Sequence, residues 1–307
     1  MISINTNYGG LFASKAASQS QRTLDTAMER LSSGMRINYA KDDAAGQAIS
    51  TRLTAEVQGL QMASRNAADA QSMIDTAEGG LQETHNLLLR MRELAVQAAN
   101  GTMNGDDRTA TDAEYQQLVL EIDRISDTTA WAGVNILNGN PTGSTAGTPP
   151  TSLTFQIGED GTSAHRIDVD FKDMDATALG LKAHDRGPNN IDDDPAGATG
   201  GDDASMNATV LTSQTTAQEA IARIDVAIKQ VSSTRATFGA VSNRLSSTMS
   251  NLDQISVNLG SSKGRIQDAD FAAETSNLAK SQILQQAATA MLAQANASKQ
   301  NVLALVR

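Results

Sequence analysis

Few residues in this chain have the type and spacing that catalysis or metal binding needs. The histidines, His85, His165 and His184, are scattered and form no His-Glu-x-x-His pair on a helix, so a zinc protease site is excluded. The chain has 307 residues and no cysteine, which removes disulfide frameworks, thiolate chemistry and sulfur-ligated metals. Asp192, Asp193 and Asp194, with Asp202 and Asp203, supply carboxylates for a hard cation. They lack the alternate-residue ligand spacing, glycine turn and distal Glu of an EF-hand, so they read as solvated charge. Neither Gly79-Gly80 nor Gly200-Gly201 is followed by Lys-Ser or Lys-Thr, so neither is a phosphate loop. No Gly-x-Ser-x-Gly or Ser/His/Asp order occurs. The chain reads as a non-enzyme without catalytic, cofactor-binding or metal residues. A net charge of -11 disfavours a nucleic-acid surface, which needs clustered Lys and Arg. No apolar run approaches the ~20 residues that span a bilayer, and Met1 to Leu11 show neither a basic start nor an apolar core of a secretory signal.

The elements carry the information instead. All prolines lie between Pro141 and Pro195. Proline inside a helix costs about 3 kcal/mol, so the long proline-free stretches on either side read as helical arms. In the first arm a 3,4 alternation runs through Leu60, Ala63, Ala67, Ala70, Ile74, Ala77, Leu81, Thr84, Leu88, Met91, Ala95 and Ala98, with Ile49, Leu53 and Val57 extending it backward. Such spacing marks a coiled-coil-like seam. The arm stops near Asn100-Gly101, and a second helix through Tyr115, Leu118, Ile122 and Ile125 folds back on it, with a capping box expected at Thr111 and Glu114. The last arm repeats the step at Ile221, Ile224, Ile228, Val231, Arg235, Phe238, Ser242, Leu245, Met249, Leu252, Ser256 and Leu259. Long helices gain their stability by burying such stripes against partners, so the arms are expected to pack together.

The centre is of another kind. Residues 152–157 and 165–171 each alternate apolar with polar across a Gly-Glu-Asp-Gly turn, a β-hairpin signal. Residues 184–207 form an acidic loop with too little apolar content to offset the entropy of ordering. The expected fold is therefore mainly α: a long antiparallel coiled-coil-like bundle built from both ends of the chain, with a small β-hairpin and short irregular loops in the middle. Its parts are residues 1–44 with 264–307 as terminal helices, 45–183 with 208–263 as a rod-like bundle, and the variable loop at 184–207.

The terminal segments carry sparse stripes: Leu24, Met28 and Leu31 near the start, and Leu284, Met291, Leu292, Val302, Leu303, Leu305 and Val306 near the end. Rich in small residues, each stripe buries little apolar area. They are expected to be partly disordered alone and to order against copies of themselves; ordinary helices docked on the body are the other reading. Arg90 and Leu94, four apart, share a helix face. With Leu87 they fall off the Leu88, Met91, Ala95 seam, which predicts that this face is not needed for the bundle's own core.

Leu31-Ser32-Ser33-Gly34-Met35-Arg36-Ile37-Asn38, continuing through Lys41-Asp42-Asp43-Ala44-Ala45-Gly46-Gln47-Ala48-Ile49, closely resembles bacterial flagellin. Arg92 to Gln97, Ile122 to Ile125, Arg265 to Ala272, Gln282 to Ala287 and Val302 to Arg307 extend the resemblance over about the first 140 and last 100 residues. The resemblance implies a structural subunit that self-assembles into the helical filament used for swimming, its terminal helices forming an inner layer around a central channel. It implies an extracellular location reached through the flagellar export apparatus without a cleaved signal peptide. The implied partners are further copies of the chain, an export chaperone, and the filament cap and hook-junction proteins, with neither nucleic acid nor membrane. In flagellins sensed by the Toll-like receptor of animal innate immunity, Arg90, Leu94 and, on the facing helix, Glu114 match the receptor-binding motif. The centre departs from longer relatives with extra outer domains, which implies a thin, smooth filament. A hook-filament junction protein of the same family, or a surface adhesin or polysaccharide-binding module, are the alternative readings.

Overall fold

The structure, a computed structural model, describes residues 6–139, 152–182 and 210–306, with side chains described as far as residue 298. Five helices carry it: α1 (Tyr8–Ser33), α2 (Ala44–Ala98), α3 (Gly105–Thr128), α4 (Gln214–Gln267) and α5 (Phe271–Val306). Between α3 and α4 lie two antiparallel hairpins, β1 (Ala130–Trp131) with β2 (Val134–Asn135), and β3 (Ser152–Gln156) with β4 (Arg166–Asp170). The chain divides into two compact units, Met1–Gln58 with Ile255–Arg307, and Gly59–Gln254. The expected mainly α bundle, built from both ends, is what the chain adopts. The acidic loop at 184–207 lies outside the described residues.

In the unit formed by 59–254, every position of the first-arm seam from Leu60 to Ala98 is buried. The seam stays in phase because a strict 3,4 step matches one helix face over many turns. Its backward extension slips: Ile49 is 41% exposed, while Ser50 is buried beside Leu53. Two successive three-residue steps, Val57 to Leu60 to Ala63, shift the stripe so that Gly46 and Ser50 face inward there.

In α4 the apolar rhythm has a second strand that the expected seam misses. Ile224, Val231, Phe238, Leu245 and Leu252 are buried as expected. Their alternating partners are the small residues Ala217, Ala220, Ala227 and Thr234, together with Val241, whereas Ile221, Ile228, Arg235, Ser242 and Met249 sit half-buried on the flank. Small side chains let the helices approach, and the larger aliphatics close the edge. Arg235 on that flank donates from Nε to Glu78 Oε1 at 2.7 Å, and Gln71 donates to Ser242 Oγ at 2.7 Å, tying α4 to α2.

The capping box expected at Thr111 and Glu114 is displaced. α3 begins about two turns earlier, where the Asn104 side chain accepts from Asp107 N at 2.8 Å. Thr111 is buried within the helix and donates back to Asp107 O, the internal bond that a mid-helix threonine makes instead of a cap. Arg108 closes the preceding turn, donating from Nε to Ala98 O and from Nη2 to Asn100 O, both at 2.9 Å. It places a cation on the carbonyl end of α2.

The β3–β4 register pairs Phe155 with Ile167 and Leu153 with Val169, so one face is apolar and joins the core. Asn66 on α2 donates to Gln156 O at 3.0 Å, fixing the hairpin to the helix. The β1–β2 hairpin, with strands of two residues each, is too short to leave an alternating stripe in the sequence. Its turn places Ala132 and Gly133 at φ 51° and 83°, the mirror-image turn that suits the twist of a two-residue hairpin.

In the other unit, α1 and α5 pack antiparallel. Buried or half-buried positions run through Gly10, Ala13, Ala17, Ser20, Leu24, Ala27 and Leu31 on α1, and Glu274, Leu278, Ser281, Gln285, Ala288, Leu292 and Ala295 on α5. Each keeps a 3,4 step. The expectation that the terminal stripes lack a partner within one chain is therefore corrected: small-residue stripes suffice because Gly, Ala and Ser allow close backbone approach. The pair is latched where Gly34, in the left-handed region at φ 72°, ends α1. Arg36 N donates to Gln267 O, and Ala269 N to Gly34 O.

Candidate assembly and recognition surfaces

In the α1–α5 pair, the sequence-selected residues divide by their place on the seam. Leu24, Leu31 and Leu292 are half-buried between the two helices. Met28, Leu284 and Met291 lie off it and are exposed, Met28 by 53% and Met291 by 65%. Val302, Leu303, Leu305 and Val306 continue the α5 backbone, but their side chains lie beyond those described. Tyr8, Leu11 and Phe12, unread in the sequence, are also exposed, Phe12 by 76%. Their 1,4,5 spacing, which puts three large apolar side chains on one helix face, is the signal that could have found them. Since α1 and α5 already bury their small-residue stripes in each other, these large side chains are left over. Large exposed apolar groups gathered on one element mark a protein contact rather than a solvated surface.

On the unit formed by 59–254, Arg90 donates to Glu114 Oε1 from Nε at 3.0 Å and Nη2 at 2.8 Å, and to Glu93 Oε2 from Nη1 at 3.0 Å. These bonds, that to Glu114 first, hold the guanidinium charged above its ordinary value. Arg92 pairs with Asp225 at 2.7 Å, linking α2 to α4. Beside them Leu89 and Val96 are exposed, and with Arg92, Glu93 and Gln97 they line a shallow groove of about 530 Å³.

Leu94 is not on this surface. It is 2% exposed and belongs to the main hydrophobic cluster, so the expectation that its face stands apart from the core is corrected. α2 has helical neighbours on more than one side, so its apolar arc is wider than a single seam, and Leu94 falls within that arc. Arg90 and Glu114, which the resemblance puts on facing helices, meet; the apolar component beside them is Leu89 and Val96.

His85 is half-buried, His165 faces Thr162 Oγ1 at 3.1 Å on the hairpin, and His184 lies outside the described residues, as do the aspartate runs at 192–194 and 202–203. Among the described residues, no group of three or more His, Asp or Glu is placed to hold a metal ion. No helix there is long and apolar enough to cross a membrane.

The sequence has relatives along its whole length. Residues 4–142 match the family model of the bacterial flagellin N-terminal helical region, and residues 221–306 that of the C-terminal helical region. Flagellin of Bacillus subtilis (strain 168) is 43% identical over 99% of both chains. The flagellar filament 33 kDa core protein of Treponema phagedenis is 38% identical, again over 99% of each. A crystal structure of Bacillus cereus flagellin is 30% identical, with a TM-score of 0.45, over 61% of this chain and 88% of that one. Matched from end to end by such relatives and at both helical ends by the family models, the chain belongs to the bacterial flagellins, structural subunits of the extracellular flagellar filament.

Proposed function

We propose that this chain polymerises with copies of itself through the leftover apolar face of the α1–α5 pair. One observation carries the reading: Tyr8, Leu11, Phe12, Met28, Leu284 and Met291 stay exposed after α1 and α5 have buried their seams in each other. Burying such a face in a polymer contributes about 25 cal/mol per Å² removed from water, repeated at every subunit. Val302, Leu303, Leu305 and Val306 extend the same helix and complete the contact, with Leu24, Leu31 and Leu292 holding the pair in register. Export through the flagellar apparatus with a chaperone, and growth between a hook-junction protein and a cap, follow from this role. Electron microscopy of purified chain added to filament seeds tests it. Long filaments are expected; short rings or persistent monomer would favour the junction-protein or adhesin readings.

A second reading concerns recognition of the monomer by the flagellin-sensing Toll-like receptor. The Arg90–Glu114 pair and the groove beside it support it, a charge pair flanked by exposed Leu89 and Val96. Leu94 supports the surface from beneath. Arg90→Ala should weaken activation in a receptor-reporter assay with helicity unchanged, whereas Leu94→Ala should also lower stability, by about 2–5 kcal/mol. A reporter response to Arg90→Ala equal to the parent's would rule this reading out.

A further inference from the structure

The methionines sort by exposure. Among the described residues Met73, Met91 and Met174 are buried in the core, while Met28, Met62 and Met291 present their side chains to solvent. A thioether is oxidised in proportion to its access, and the product is a polar, chiral sulfoxide. Met28 and Met291 are among the exposed apolar side chains of α1 and α5 assigned above to subunit contact. Both stand off the α1–α5 seam, so oxidising them leaves the seam's own packing untouched.

We propose that Met28 and Met291 are oxidation sites through which peroxide-class oxidants reversibly block polymerisation, an inference that rests on the assembly reading. The sulfur lone pair attacks one peroxide oxygen, the O–O bond breaks, and the departing oxygen leaves as water after proton transfer. Sulfur loses two electrons and the peroxide gains them. The sulfoxide oxygen then needs a hydrogen-bond donor, which a subunit contact made through exposed apolar side chains does not supply. Burying it there costs free energy. Methionine sulfoxide reductases, acting on both epimers with a dithiol, reverse the change.

The experiment treats full-length monomer with hydrogen peroxide, maps sulfoxides by peptide mass, and measures the critical concentration for seeded polymerisation before and after. Sulfoxide should form first at Met28, Met62 and Met291 and last at Met73, Met91 and Met174. The critical concentration should rise at least about tenfold, equivalent to about 1.4 kcal/mol per subunit. Reductase treatment should restore it. The Met28→Leu, Met291→Leu double variant, whatever its own critical concentration, should show no change on oxidation, while Met62→Leu should remain as sensitive as the parent. Oxidised chain that polymerises at the parent concentration, or a double variant that stays sensitive, overturns the inference alone. Unoxidised chain that fails to polymerise on seeds overturns the assembly reading and this inference with it.

Discussion

At the scale of single residues, the adjacent glycines 79 and 80 show how little a residue type says without its surroundings. Both lie inside α2, where glycine costs roughly 0.5–1 kcal/mol relative to alanine. A Cβ on Gly79 would meet nothing within 4 Å, whereas one on Gly80 would lie 2.8 Å from Leu137 Cδ1 and from Thr129 Oγ1. Gly79→Ala should therefore stabilise the fold by about 0.5–1 kcal/mol, and Gly80→Ala should destabilise it by about 1–3 kcal/mol through overpacking. Denaturant unfolding of the two variants checks this; equal shifts of the same sign would contradict it. Asp173 carries a pH dependence. Burial, then the nearby Asp175 and Asp127 charges, raise its pKa, against hydrogen bonds from the Asp175 and Met174 amides that lower it. A carboxyl whose folded pKa lies above its unfolded one favours folding when protonated, so its contribution is lost as pH rises from about 3.9 through the folded value. The stability difference between parent and Asp173→Asn should change in favour of the variant as pH rises through that window. A difference that stays flat across the titration would show that the carboxyl titrates alike in both states.

At the scale of elements, the sequence legible in advance was that with regular spacing and large apolar residues. The α2 seam, the buried series from Ile224 to Leu252 and the β3–β4 hairpin could be read because period 3.5 and period 2 leave unambiguous stripes. The α4 partner positions escaped because Ala217, Ala220 and Ala227 carry little hydrophobic signal, and the larger Ile221 and Ile228 beside them carry more. Leu94 escaped because a helix with several neighbours has a broad apolar arc, and one seam line cannot mark its width. The α1–α5 pair is the sharpest case. Its seams are Gly, Ala and Ser with few leucines, so the sequence signals weak burial, and antiparallel pairing of two such stripes appears only in three dimensions. That composition still has an energetic consequence. Little apolar area is buried per turn, so α1 and α5 should open at lower free energy than the helices around Tyr115 and Phe238. In dilute monomer, hydrogen-exchange protection at Leu24 and Leu292 should fall at least about tenfold below that at Leu88 and Ile224. Equal protection would mean that the small-residue seam is as stable as the main core.

At the scale of the molecule, the proposed function rests on the surface left exposed. The core of the unit formed by 59–254 is built from α2, α3, α4 and the β3–β4 hairpin, whose Phe171 and Phe238 rings stand 5.4 Å apart. The segment from Asn189 to Asp203 contributes neither seam nor aromatic anchor in sequence, so replacing it with a short Gly-Ser linker should leave filament formation intact. Failure of that variant to polymerise would place a subunit contact in the loop. The apolar side chains left exposed on α1 and α5 should drive polymerisation while contributing little to the fold of the monomer. Phe12→Asp tests it most directly, because Phe12 is the most exposed of those apolar residues and lies off the seam. The measurement is the pelletable fraction in seeded polymerisation, taken together with far-ultraviolet circular dichroism of the monomer. Helicity should be unchanged with polymer reduced to background; polymerisation at the parent level would show that these side chains do not drive assembly.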